Sequence, residues 1–98
     1  MMSSNIRHQM VGRLSTTQSA AYTGTHAEIT NGVGTETYIV RVVCTSDAFI
    51  KIDNSPTATT SDVFCPASTP EYFSITPGQK VSAVQSTASG TVYVTEIT

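Results

Sequence analysis

Between Thr37 and Ile52 the chain reads TYIVRVVCTSDAFIKI, and its alternation leaves little choice of fold. Tyr38, Val40, Val42 and Cys44 recur at every second position, with Ile39, Arg41 and Val43 between them. After Thr45-Ser46-Asp47 the pattern resumes, Ala48, Ile50 and Ile52 alternating with Phe49 and Lys51. Successive side chains of a strand point to opposite faces, so a period of two predicts a sheet with one buried face. The stretch is two strands joined by a short polar turn. The rest of the chain must supply their neighbours.

Downstream, Asp53 to Asp62 is a long polar loop in which Pro56 excludes a central strand. Val63 to Cys65 resumes as a short strand stopped by Pro66, and Glu71 to Ile75 is another, with Tyr72 and Ser74 opposite Phe73 and Ile75. Thr76-Pro77-Gly78-Gln79 has the type II turn pattern, in which glycine supplies the positive φ. Lys80 to Gln85 sets Val81 and Ala83 against Ser82 and Val84, and Thr91 to Ile97 closes the chain with Val92 and Val94 facing away from Tyr93 and Ile97. A terminal strand needs pairing or cover, which a subunit interface can supply. Upstream, Ser19 to Tyr22 and His26 to Ile29 read as short strands around Gly24, and Asn31-Gly32-Val33-Gly34 as a turn or flexible connection. Strands punctuated by turns about every 8 to 12 residues predict an all-β domain, an antiparallel β-sandwich or small barrel. Residues 15–98 form that domain. Residues 1–14 form an N-terminal arm, with Ile6, Met10 and Leu14 spaced for one helical face; a first strand from Gln9 to Leu14 is the rival reading.

Composition narrows the function. Roughly three residues in ten are Ser or Thr, and charged residues are 12%, about half the usual share. The net charge is −2, and the five basic residues, Arg7, Arg13, Arg41, Lys51 and Lys80, are scattered. Nucleic-acid binding wants them clustered. No apolar run approaches the roughly 20 residues of a membrane-spanning helix. The opening MMSSNIRHQM carries no apolar signal segment, so a reducing cytoplasm and two free thiols are expected for Cys44 and Cys65, both set beside apolar neighbours as small core residues.

Catalytic and metal patterns are missing. His8 and His26 have no second histidine or spaced carboxylate nearby, and two cysteines 21 residues apart lack zinc-ligand pairing. There is no G-x-S-x-G elbow and no glycine-rich phosphate cradle. The acids Glu28, Glu36, Asp47, Asp53, Asp62, Glu71 and Glu96 fall mostly at turns and strand ends, where carboxylates stay solvated or accept backbone hydrogen bonds. The expectation is a protein without enzymatic activity, cofactor or metal. Sugar binding is the rival class, with Tyr22, Phe49, Phe64, Tyr72 and Tyr93 as stacking candidates in a chain that lacks Trp.

A run of segments carries a family resemblance: Ile39-Val40-Arg41-Val42-Val43, Ala48-Phe49-Ile50-Lys51-Ile52, the loop Ser55-Pro56-Thr57-Ala58-Thr59-Thr60-Ser61, then Thr69-Pro70-Glu71-Tyr72-Phe73, Pro77-Gly78-Gln79-Lys80-Val81 and Gly90-Thr91-Val92-Tyr93-Val94-Thr95-Glu96. In that order and spacing, Tyr38 to Thr98 resembles short structural proteins of tailed bacteriophages and prophages. The resemblance implies a capsid decoration (cement) protein with a jelly-roll-like β-sandwich, made in the host cytoplasm and carried on the virion surface. It also implies a homotrimer whose partner is the major capsid protein. A neck, tail or head-fibre component is the alternative within the same virion class.

On that reading residues 1–14 are the capsid-gripping arm, with Ile6, Met10 and Leu14 as anchors and Arg7 and Arg13 as polar contacts. Phe49 and Tyr72 are the outward aromatics expected between subunits.

Overall fold

The computed structural model describes residues 13–98. Ile6, Arg7, Met10 and His8 lie outside the described residues. Eight strands follow one another without a helix among the described residues: β1 (Leu14–Tyr22), β2 (Ala27–Glu28), β3 (Ile39–Cys44), β4 (Ala48–Asp53), β5 (Val63–Cys65), β6 (Glu71–Ser74), β7 (Lys80–Gln85) and β8 (Gly90–Ile97). They form two four-stranded antiparallel sheets, ordered β1-β8-β3-β6 and β2-β7-β4-β5, packed as a β-sandwich. The expected all-β class holds.

The pairing has a simple logic. β1 pairs with β8, β2 with β7, β3 with β6 and β4 with β5, so the second half of the chain runs back along the first. The doubled ribbon then closes on itself through β3·β8 and β4·β7. The terminal strand β8 is therefore central, between β1 and β3, and the edge it was expected to present is covered within the chain.

The organising stretch is also wired differently from a hairpin. β3 and β4 do not pair; the turn at Thr45-Ser46-Asp47 carries the chain from one sheet to the other. That crossing is held from several sides. Tyr22 Oη donates to Ser46 O at 2.5 Å, Ser46 Oγ donates to the carbonyls of Ala88 and Ser89 at 2.9 Å, and Asp47 Oδ1 accepts the Ala67 N–H at 2.8 Å. Burial of Tyr22 pushes its phenol above its ordinary 10.0, against the pull of its hydrogen bonds with Ser46.

Alternation puts Val40, Val42 and Cys44 of β3, Ala48 and Ile50 of β4, Val81 and Ala83 of β7, and Val92 and Val94 of β8 into one core, all buried. Cys44 and Cys65 are free and fully buried there. The hydrogen bond with Cys65, then burial, pushes the Cys44 thiol up. The expected turn at residues 76–79 forms: Gln79 N–H donates to Thr76 O at 3.0 Å and Gly78 takes φ +90°.

One stretch departs from expectation, and two connections prove to be packed. β1 runs nine residues and starts at Leu14, while Arg13 exchanges both backbone hydrogen bonds with Thr98, so the sheet reaches into the stretch assigned to the arm. Leu14 thus sits on a strand rather than on a helical face. The connection at residues 31–34 is packed: Val33 is buried and bonded to the backbone of Gln79 and Gly78, and the Gln18 amide bonds Asn31 N and O. The polar loop of residues 54–62 is packed as well, with Pro56 and Ala58 buried and the Ala58 N–H bonded to Ser82 Oγ at 3.2 Å.

Candidate functional site

Register decides what each sheet shows to the outside. In β8, Val92 and Val94 point into the core, so Tyr93, Thr95 and Ile97 point out. Directly opposed residues share a face, which builds three outward rows across the β1-β8-β3-β6 sheet. One is Ser19, Tyr93 and Val43; the next is Thr17, Thr95, Arg41 and Tyr72; the last is Leu14, Ile97, Ile39 and Ser74.

Leu14 joins that face through an irregularity. It stands opposite Ile97, while Thr17 stands opposite Thr95, so β1 has one residue more than β8 between those pairs. The extra residue is a β-bulge, and it turns Leu14 outward where strict alternation from Thr17 would turn it in.

The resulting face mixes exposed aromatic and aliphatic side chains with hydroxyls and is nearly uncharged. Tyr72 is 60% exposed, Tyr93 44% and Ile39 41%, with Leu14 at the margin 70% exposed. Arg41 is the one charged residue in the three rows, and Thr17 and Thr95 hydroxyls satisfy one another at 3.0 Å. Four strands about 4.8 Å apart and three rows about 7 Å apart give a patch of roughly 300 Å². Patches of that size on a protein surface are often functional.

The outer face of the β2-β7-β4-β5 sheet differs. Phe49 packs edge-to-face on Phe64, ring centroids 5.6 Å apart. Ser82 and Val84 are buried there although they point away from the core, and the Ala58 N–H reaches over to Ser82. Lys80 and Glu28 pair at 3.4 Å. Phe49 and Tyr72, expected together in one contact, therefore lie on opposite faces of the sandwich. Leu14 and Tyr72, expected in different contacts, share a face.

The remaining candidates are dispersed. Tyr22 is buried, which removes it as a sugar platform, whereas Tyr72 and Tyr93 are exposed on one face. Among the described residues no three His, Cys, Asp or Glu side chains are placed to hold a metal ion. Glu96 is a buried carboxylate, and its Oε1 accepts the Gly34 N–H at 3.0 Å and the Thr37 hydroxyl. It ties the chain before β3 to the end of β8. Among the described residues no helix is long and apolar enough to cross a membrane.

Sequence reasoning missed the face as a unit. Alternation marks Tyr93 and Tyr72 as outward, but the rows that join them depend on which strands pair. Comparisons with protein-family models, curated proteins and solved structures find no match to this chain.

Proposed function

We propose that this chain is a virion structural protein of the capsid decoration type, which binds the outside of an assembled phage head and bridges major capsid protein subunits. The observation that carries the reading is the outer face of the β1-β8-β3-β6 sheet, with Ile39, Val43, Tyr72 and Tyr93 around the single charge of Arg41. Aromatic residues and arginine are the types enriched at protein interfaces, and the low charge lets such a face be desolvated cheaply. The strand orders 1-8-3-6 and 2-7-4-5, from a ribbon doubled back at the β4–β5 loop, support the jelly-roll description.

A patch of roughly 300 Å² is well below the about 800 Å² per partner of a stable interface. One copy on this patch alone would bind weakly. A homotrimer that presents three such faces to neighbouring subunits gains from the effective concentration each contact sets for the others. The mechanism is interfacial: added area across junctions that spread when DNA fills the head.

The test is occupancy on purified particles by cryo-EM, for the native chain, Tyr72→Asp/Tyr93→Asp, and a variant lacking residues 1–12. Density at threefold or quasi-threefold positions, lost in the tyrosine variant while its fold is retained, supports the reading. The shortened chain then asks whether the arm grips the shell. Density only at the portal vertex moves the function to the neck or tail. Unchanged occupancy of the tyrosine variant removes this face from the mechanism.

A second reading, a glycan-binding module, draws on the same exposed pair, Tyr72 and Tyr93. A glycan screen that finds a ligand lost on tyrosine substitution would favour it.

A further inference from the structure

The sandwich is sealed unevenly at its two sides. Along the β5–β6 side, residues on the core face remain exposed. Val63 stands opposite buried Ile50 yet is 56% exposed, while Phe73, opposite buried Val40, and Ile52, opposite buried Val81, are half-buried. With Ile50, Lys51 and Asp62 these three line a groove of about 210 Å³. Asp62 Oδ2 accepts the Thr59 N–H and hydroxyl, leaving Oδ1 for an incoming donor.

On the opposite side, at the free edge of β1, stands Leu14, 70% exposed, next to exposed Arg13. Among the described residues Arg13 has no carboxylate partner. The row Leu14, Ile97, Ile39, Ser74 crosses the whole sheet, and Ser74 adjoins Phe73 of the groove. Knob and groove therefore lie at one level of the sandwich on opposite sides, with Leu14 and Ser74 roughly 14 Å apart across four strands.

We propose that Leu14 of one copy seats in the groove of a second copy, against Ile50, Ile52, Val63 and Phe73, with Arg13 on Asp62. Three features select another copy of this chain as the occupant. The groove holds one or two aliphatic side chains and the chain exposes one at the matching level. The charge beside the knob is opposite to the carboxylate at the groove. And β1 offers a nine-residue edge that carries no charged residue from Leu14 to Tyr22, so nothing on that edge repels a neighbour. A contact between two different surfaces is heterologous, and it closes into a ring when the rotation per copy divides a full turn. The number three rests on the decoration reading; the contact itself does not.

Cysteine pairing on the purified chain tests this, because Cys44 and Cys65 are fully buried and do not compete. Leu14→Cys and Val63→Cys are made separately, mixed, and oxidised with glutathione disulfide. The expected product is a 14–63 cross-linked dimer, and the double variant gives a covalent ring that runs as a trimer. Cross-links only between identical positions, or a monomer by light scattering with no cross-link, would overturn the proposal. Leu14→Asp should weaken assembly at least about tenfold, the loss of one buried leucine. Arg13→Asp and Asp62→Arg should each weaken it about threefold and restore it together. A monomer that still decorates particles overturns the ring and leaves the decoration reading; a ring that binds no particle does the reverse.

Discussion

The two outer faces of this sandwich start from the same strand grammar and end differently. On the β2-β7-β4-β5 sheet the outward Ser82 and Val84 are buried, and the loop of residues 54–62 packs there with its own buried Pro56 and Ala58. On the β1-β8-β3-β6 sheet the outward Ile39, Tyr72 and Tyr93 stay in water, as on the other sheet Phe64 does at the β5 edge. Period two needs only one buried face, so each outer face is free to be covered or left open. Where the chain supplies the cover, that face belongs to stability. Where it does not, large apolar side chains remain for a partner.

The largest effect should come from breaking the covered face. Ala58→Asp places a carboxylate at a site 4% exposed against Ser82, and its desolvation should cost about 3 kcal/mol even with Lys51 opposite Ser82 on that face. Urea unfolding followed by circular dichroism measures it. A loss under about 1 kcal/mol would show that the loop lifts away easily, and the two faces would then be alike.

Next comes the packed connection that leads into β3. A β-carbon on Gly32 would collide with the backbone carbonyl of Gly78, which a side-chain rotation cannot relieve. Gly32→Ala should therefore cost about 2 kcal/mol, as overpacking does. Equal stability in the same titration would mean that residues 31–34 are free to move, the flexible connection that the sequence left open beside a turn.

Much of the fold is legible in the sequence because strands announce themselves locally. The inward set of β3 and β4, the bounds of β5 and β7, and the turn at Gly78 all follow from period two and turn chemistry. Pairing is not local. A polar turn such as Thr45-Ser46-Asp47 joins two strands of one sheet as readily as strands of two, so nothing nearby told that β3 and β4 part. β1 was seen only in its last four residues, because Ser and Thr on an edge strand carry no hydrophobic alternation. The same limit hid the candidate face. Leu14 reaches it through a bulge, and Phe49 leaves it because β4 belongs to the other sheet.

The core between the faces gives a pH signature. Burial holds Tyr22 above its ordinary value of 10.0, while the hydrogen bond within the buried Cys44–Cys65 pair moves the two thiols in opposite directions, Cys44 up and Cys65 down. The unfolded chain therefore loses the Tyr22 proton first, so the stability this group contributes is complete below about pH 10 and is lost as pH rises past it. Tyr22→Phe should cost about 1 kcal/mol at pH 7 through the lost Ser46 bonds and flatten the alkaline decline. A decline unchanged by the substitution would assign it to other groups.

The smallest effect on stability is also the sharpest test of the comparison. Tyr72→Ser and Tyr93→Ser remove exposed rings from the uncovered face, and each should shift stability by less than about 0.5 kcal/mol. If the open face exists for a partner, these two changes should leave the unfolding midpoint nearly fixed while removing most particle occupancy. Val84→Ser on the covered face should do the opposite, because its side chain is already buried by the chain itself. Should Tyr72→Ser and Val84→Ser destabilise the domain equally, the open face is an ordinary part of the fold. The division of labour between the sheets would then fail, however the particle behaves.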